Sequence, residues 1–273
     1  MKYVVDSNYL RDARLKSFLQ SSSSNLIILT DYAAMEALKG DALVGMYESM
    51  KILSEFSSQV QVLKTTLAIC GLSGSSKGLQ RRFVDFPQTN EFLLFCKNLK
   101  TAHLGSTPLI DQLNALGVEA NTHFHRMDSS ARGFADSSVE IAKLFTKIEM
   151  HQIINDQRYT QSLLWKIFDK TIDLSAFIFN RHPSVKRIPS KNELINTYIF
   201  RSALCNLILG FRYASVGGVP GKSVGRIRND MVDANFATYA TFFDGLLSND
   251  ELSNWLFKIT NNVLFRFRKT YLY

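Results

Sequence analysis

Residues 1–63 read MKYVVDSNYLRDARLKSFLQSSSSNLIILTDYAAMEALKGDALVGMYESMKILSEFSSQVQVL, and the alternation of short apolar runs with helical stretches in this segment decides the fold. Tyr3-Val4-Val5 is an apolar run stopped by Asp6, which predicts a strand over residues 2–5. Leu10, Leu15 and Phe18 then recur among charged positions at helical spacing, and Ser21 to Asn25 make a turn. Residues 26–29 are a second apolar run, short enough for a buried strand, and Thr30 is placed to cap a helix carrying Ala33, Ala34, Glu36 and Leu38. Residues 42–56 put Leu43, Met46, Met50 and Leu53 on one stripe, and residues 60–63 read as a third strand. Strand, helix, strand, helix, strand is the signature of an α/β fold with a parallel sheet.

Outward from this segment the pattern changes. Residues 71–78 are rich in Gly and Ser and read as a loop. From about 92 to 213 the periodicity is helical, clearest at 137–155 and 161–180; a basic, Pro-containing break follows at 180–190, then another helix at 192–213. A Gly-rich loop spans 215–225, after which a helix at 229–243, a short strand at 245–247 and a helix at 250–258 restore the α/β pattern. Residues 265–273 alternate large apolar and basic residues and are expected as an edge strand. The expected organisation is an α/β domain built from residues 1–70 and 215–273, with residues 71–214 as a large helical insertion.

The 273 residues carry 46% hydrophobic and 21% charged side chains, values of a globular chain rather than a disordered one. A net charge of +8 favours polyanionic partners, nucleic acid first. Three widely spaced cysteines, Cys70, Cys96 and Cys205, form no CxxC pair, which argues against a disulfide framework or a zinc ribbon and for a reducing, cytoplasmic setting. The first residues are not of signal-peptide type, and no apolar stretch approaches the ~20 residues of a membrane-spanning helix, so no membrane association is expected.

The chemistry lies in carboxylates at strand ends. Asp6 follows the first strand, Glu36 sits on the helix after the second, and Asp250 follows the last. In open α/β sheets ligands bind beyond the carboxyl ends of the strands, so such residues converge although distant in sequence. Asp230 and Asp233, one helical turn apart, are expected to open the helix before the last strand. Clustered carboxylates remain ionised at neutral pH when a cation sits among them, and all-oxygen ligands suit Mg²⁺ or Mn²⁺.

These segments resemble a known family. Val4-Val5-Asp6-Ser7-Asn8 resembles the opening motif of PIN domains, Ile28-Leu29-Thr30 through Met35-Glu36-Ala37-Leu38 the second, Asn229 to Asp233 the third, and Leu246-Leu247-Ser248-Asn249-Asp250 the fourth. The resemblance covers residues 1–65 and 225–265. It implies a PIN-like sheet flanked by helices and a metal-dependent endoribonuclease that hydrolyses RNA phosphodiester bonds. Its catalytic carboxylates would be Asp6, Glu36, Asp233 and Asp250, with Asp230 as a further metal ligand and Asn8 and Ser248 as auxiliaries. Glu36 and Asp233 lie farther apart than in a compact PIN domain, hence the expected insertion. A toxic nuclease would also need an inhibitor or antitoxin protein, and homo-oligomerisation is left open.

Lys222, Arg226 and Arg228 lead into the Asp230 helix and are candidates for contact with substrate phosphates. Gly221-Lys222-Ser223 is not a P-loop, because the glycine required five positions earlier is Val216. His123 and His125 share one face if extended, but no cysteine or acid stands at zinc-ligand spacing. Two rival functions keep the same fold: a non-catalytic interaction or RNA-binding protein, and a structure-specific DNA nuclease.

Overall fold

The computed structural model describes residues 1–219 and 221–271. In chain order the elements are β1 (Lys2–Val5), α1 (Ala13–Ser21), β2 (Leu26–Leu29), α2 (Asp31–Ala37), α3 (Ala42–Glu55), β3 (Val60–Val62), α4 (Thr66–Cys70), α5 (Leu79–Phe83) and α6 (Phe86–His103). They continue with α7 (Thr107–Ala142), α8 (Lys147–Ile154), α9 (Gln161–Phe179), α10 (Lys191–Leu194), α11 (Tyr198–Ser215), α12 (Val224–Ala240), β4 (Gly245–Leu247) and α13 (Glu251–Tyr271). They fall into two compact units. One holds Met1–Thr65, Gln80–Met127 and Phe243–Asp250; the other holds Thr66–Leu79, Asp128–Phe242 and Glu251–Tyr273. This division differs from the expected one. Residues 80–127 belong with the sheet, whereas 215–242 and the segment after Asp250 belong with the helical unit.

The first unit is built on a four-stranded sheet in the order β3-β2-β1-β4, every pair parallel. The strands are three or four residues long, so burial of Val4, Val5, Ile27 and Ile28 rather than ladder length holds them. Tyr3 pairs with both Ile27 and Gly245, which places the amino-terminal strand centrally and recruits β4 from far along the chain. The Asp6 N–H donates to the Leu247 carbonyl at 3.0 Å and extends that ladder to the residue that leaves the strand. Thr30 caps α2 by accepting from the Ala33 N–H at 3.2 Å, as its sequence position predicts, and Asp41 caps α3 by accepting from the Val44 N–H at 2.9 Å. α6 begins after Asp85, whose carboxylate accepts from the Gln88 N–H at 3.1 Å, and it packs against α3.

In the helical unit, α11 is packed by α8, α9, α12 and α13 and is buried on almost every side, including Phe200, Leu204, Ile208 and Phe211. Phe168, Phe200 and Phe267 meet at its centre, with Phe168 and Phe267 edge-on at 5.0 Å between ring centroids.

Several expected boundaries move. The helix expected over 137–155 is broken: α7 ends at Ala142 and α8 starts at Lys147 behind a capping box made by Thr146 and Glu149. Thr197 likewise starts α11 afresh, accepting from the Phe200 N–H. α12 begins at Val224 behind Ser223, so Asp230 and Asp233 lie within the helix and do not open it. His123 and His125 lie in α7, not in extended chain. The expected edge strand at 265–273 is also corrected: α13 continues through Tyr271, and residues 272–273 lie outside the described ones. The reason is periodic. Leu256, Ile259, Val263, Leu264 and Phe267 are all buried at helical spacing, whereas Phe265, which a strand would place on the same side as Phe267, is 56% exposed. Among the described residues no helix is long and apolar enough to cross a membrane.

Candidate active site at the carboxyl ends of the strands

In the sheet unit the first carboxyl group beyond β1 is that of Asp6, and it is 1% exposed. Burial there follows from the strand itself, which turns directly into a 3-10 segment at Ser7–Arg11. The side chain is met from two sides. The Ser248 hydroxyl, one residue past β4, donates to Asp6 Oδ2 at 2.6 Å, and the Asp250 N–H donates to that hydroxyl at 2.9 Å. On the other side the Ser7 hydroxyl lies 3.3 Å from Asp6 Oδ1 and 2.6 Å from Glu36 Oε2.

One hydroxyl therefore spans two carboxyl groups, on the strand end and on α2, so their nearest oxygens are no farther apart than the two contacts laid end to end. A serine has a single proton to give. Of the two acceptors facing the Ser7 hydroxyl, Glu36 Oε2 is the nearer. The Asp6 carboxyl is pushed above its ordinary range, first by burial and then by the charge of Glu36. The Ser248 hydroxyl, the Asn8 N–H and the Ser7 hydroxyl pull the other way.

Glu36 has a second partner. The Lys39 ammonium lies 2.9 Å from Glu36 Oε1 and 4.1 Å from the centroid of the Phe124 ring. This ion pair is two-thirds or more shielded at both ends. It sits where the helix dipole of α2 also favours a cation, just past its last turn.

Of the residues singled out in the sequence, Asp6, Glu36 and Ser248 are thus joined in one hydrogen-bonded group, with Asp250 contributing its backbone. Asn8 is exposed and contributes its N–H to Asp6. Asp230 and Asp233 are held within the helical unit. Asp230 is 8% exposed; its Oδ2 accepts from the Tyr213 hydroxyl at 2.6 Å and from the Lys222 ammonium. That arrangement raises the Tyr213 hydroxyl above its ordinary range, through burial first and then the hydrogen bond to Asp230. Asp233 accepts from the Ser253 hydroxyl at 2.9 Å. Arg228 faces Asp128 at 3.1 Å, and Arg226 is exposed. Lys222 and Arg228, expected to meet substrate phosphates, are therefore paired with acids of their own unit.

Ser7 and Lys39 belong to the site but do not stand out in the sequence. Ser7 is the middle residue of Asp6-Ser7-Asn8, and Lys39 lies three residues beyond Glu36. Spacing makes the second pair legible, whereas the role of Ser7 depends on how closely α2 approaches β1.

The donor set is made of oxygen atoms, which suits a hard divalent cation. Among the described residues no group of three or more His, Cys, Asp and Glu side chains is arranged to hold a metal. Asp6 and Glu36 are a pair, and Mg²⁺ is commonly held by one or two carboxylates together with substrate phosphates. The residues thus fit such an ion as a two-carboxylate site completed by its substrate. No protein-family model, curated protein or solved structure matches this chain.

Proposed function

We propose that the chain is a metal-dependent endoribonuclease of PIN-like type, acting on RNA in the cytoplasm. The observation that carries the reading is the junction of Asp6 and Glu36 through Ser7 at the carboxyl ends of adjacent parallel strands, with Ser248 fixing Asp6 from β4. On this reading Asp6 and Glu36 hold Mg²⁺ or Mn²⁺, with Asp250 beside them. The ion supplies a bound water of lowered pKa and neutralises charge developing on the phosphate. Ser248 orients the Asp6 carboxylate. Ser7 keeps Glu36 directed at the same point. Lys39 would balance the charge of Glu36 until a cation is bound. The net charge of +8 draws the RNA backbone to the protein. An inhibitor protein belongs to this reading as a partner.

A second reading, a non-catalytic interaction or RNA-binding protein, is favoured by the Lys39–Glu36 ion pair, which already compensates one of the two acids. Cleavage of single-stranded RNA by the purified chain separates them, assayed with Mn²⁺, with EDTA, and with Asp6→Asn and Glu36→Gln. The nuclease reading expects cleavage that EDTA abolishes and that either substitution lowers by about 100-fold or more. Equal cleavage by Asp6→Asn and wild type would remove the site. Absence of metal-dependent cleavage of RNA, with flapped DNA cut instead, would move the reading to a DNA nuclease.

A further inference from the structure

In the sheet unit, apart from the carboxylate group, α3 and α6 enclose a cavity of about 260 Å³. Its apolar lining is Met50 from α3 and Leu93, Cys96 and Leu99 from α6. Tyr47 forms one wall, and its ring is backed by the His103 imidazole in a parallel stack, 3.9 Å between centroids and 3° between planes. Lysines line it from both helices: Lys51 on α3, and Lys97 and Lys100 one turn apart on α6. The acid at this cavity, Glu55, is held by Lys16 at 2.6 Å. Lys51 makes a long contact of 3.9 Å to Glu48.

Three lysines lining one cavity give it a positive potential that favours an anion. The apolar lining and the stacked wall add a second requirement, that the anion carry a flat body. Four apolar side chains and a volume near the lower end of ligand pockets hold a ring, not a long acyl chain. Ser54, Glu55 and the Tyr47 hydroxyl supply donors and acceptors for the polar edge of such a ring.

We propose that this cavity binds a nucleotide, with the phosphate among Lys51, Lys97 and Lys100 and the base against Met50 and Leu99 beside Tyr47. The nucleotide comes either free or as one unit of a single-stranded RNA; the chemistry recognised is the same. The inference does not depend on the carboxylate site being catalytic.

The test is binding by the full chain, measured by calorimetry for AMP, UMP, adenosine, inorganic phosphate and octyl phosphate, and by fluorescence anisotropy for a labelled ten-nucleotide oligouridine. AMP or UMP is expected to bind saturably and at least about tenfold tighter than adenosine, phosphate or octyl phosphate, since each of these lacks one of the two recognised parts. Lys97→Glu with Lys100→Glu, both exposed positions, is expected to weaken the nucleotides at least about tenfold while leaving the circular dichroism spectrum unchanged. Asp6→Asn is expected to bind them as wild type does, which separates this site from the proposed nuclease centre. If the oligonucleotide binds tighter than AMP and loses affinity with the lysines, the natural occupant is RNA; if only the mononucleotides respond, it is a free nucleotide. Mononucleotide binding weaker than about 10 mM, equal binding of octyl phosphate, or binding unchanged by the lysine pair would each overturn the proposal.

Discussion

Arg201 shows how far a single side chain can carry the helical unit. It is 1% exposed and, among the described residues, meets no carboxylate. Its Nε donates to the Ile195 carbonyl at 2.8 Å, Nη1 to the Thr241 carbonyl at 2.5 Å, and Nη2 to Asn196 Oδ1 at 3.2 Å, with the Phe242 ring 3.8 Å from the guanidinium carbon. Thr241 ends α12 and Ile195 precedes α11, so the fork ties two chain turns that otherwise expose carbonyls to an apolar core. Burial, and then the charge of Arg268, pull its pKa well below the usual guanidinium value. Two costs compete on replacement. Met removes the buried charge but strands the acceptors, at about 1–3 kcal/mol each. Lys keeps a buried charge yet cannot make the planar fork. Arg201→Met is therefore expected to lower unfolding free energy by about 2–4 kcal/mol, and Arg201→Lys by more. Urea denaturation at unchanged m-value measures both; a lysine variant as stable as wild type would show that the charge, not the fork, matters.

At the scale of elements, the turn before α10 makes a pH prediction. Glu193 closes a capping box with Ser190, is gripped by both terminal nitrogens of Arg187 at 2.8 and 2.9 Å, and accepts from Ser73 at 3.0 Å. These bonds, Arg187 foremost, depress its pKa to about 2 from an ordinary 4.5. A depressed carboxyl stabilises the fold where it is ionised in both states, above pH 4.5, and that contribution is lost as pH falls through about 2. Glu193→Gln should therefore melt below wild type at pH 7, and the gap in Tm should close between pH 4.5 and 2. A gap that is constant over this range would assign the stabilisation to hydrogen bonding that the amide keeps. Elements were also where the sequence was most and least legible. All four strands could be read: β1, β2 and β4 because each holds a short apolar run ended by a polar residue, β3 from the alternation Val60-Gln61-Val62, and Asp6 and Ser248 were legible as the residues that end two of them. α13 was misread at its end because Phe265, Arg266, Phe267 and Arg268 alternate locally, while the helical period that decides their burial starts at Leu256. Asp230 and Asp233 were set at a helix start because the cap, Ser223, lies two turns earlier, beyond Gly225. Ser7 was not legible as part of a site, because its meaning arises only when α2 folds back beside β1, whereas Lys39 follows Glu36 at i,i+3 spacing.

For the molecule as a whole, charge makes the discriminating prediction. Lys222 is paired with Asp230 and Arg228 with Asp128, so lysines without so close an acid partner are the simpler place to look for phosphate contacts if RNA is the partner. The three lysines between α3 and α6 are one such place. A single strand that engages three to four phosphates releases counterions in proportion, with a slope of about −0.7 per contact in log affinity against log salt. Raising NaCl from about 50 to 200 mM should then weaken RNA binding to the Asp6→Asn chain about 20- to 50-fold. That variant is used so that cleavage does not obscure binding. Substitution of Lys97 and Lys100 by Glu should make the slope shallower by about 1.4, because two of those contacts vanish. Fluorescence anisotropy across a salt series measures both quantities. A flat salt dependence would mean that the charge does not meet a phosphate backbone, and it would favour a protein partner over RNA. A steep slope unchanged by the lysine pair would keep RNA as the partner but move its path away from α3 and α6.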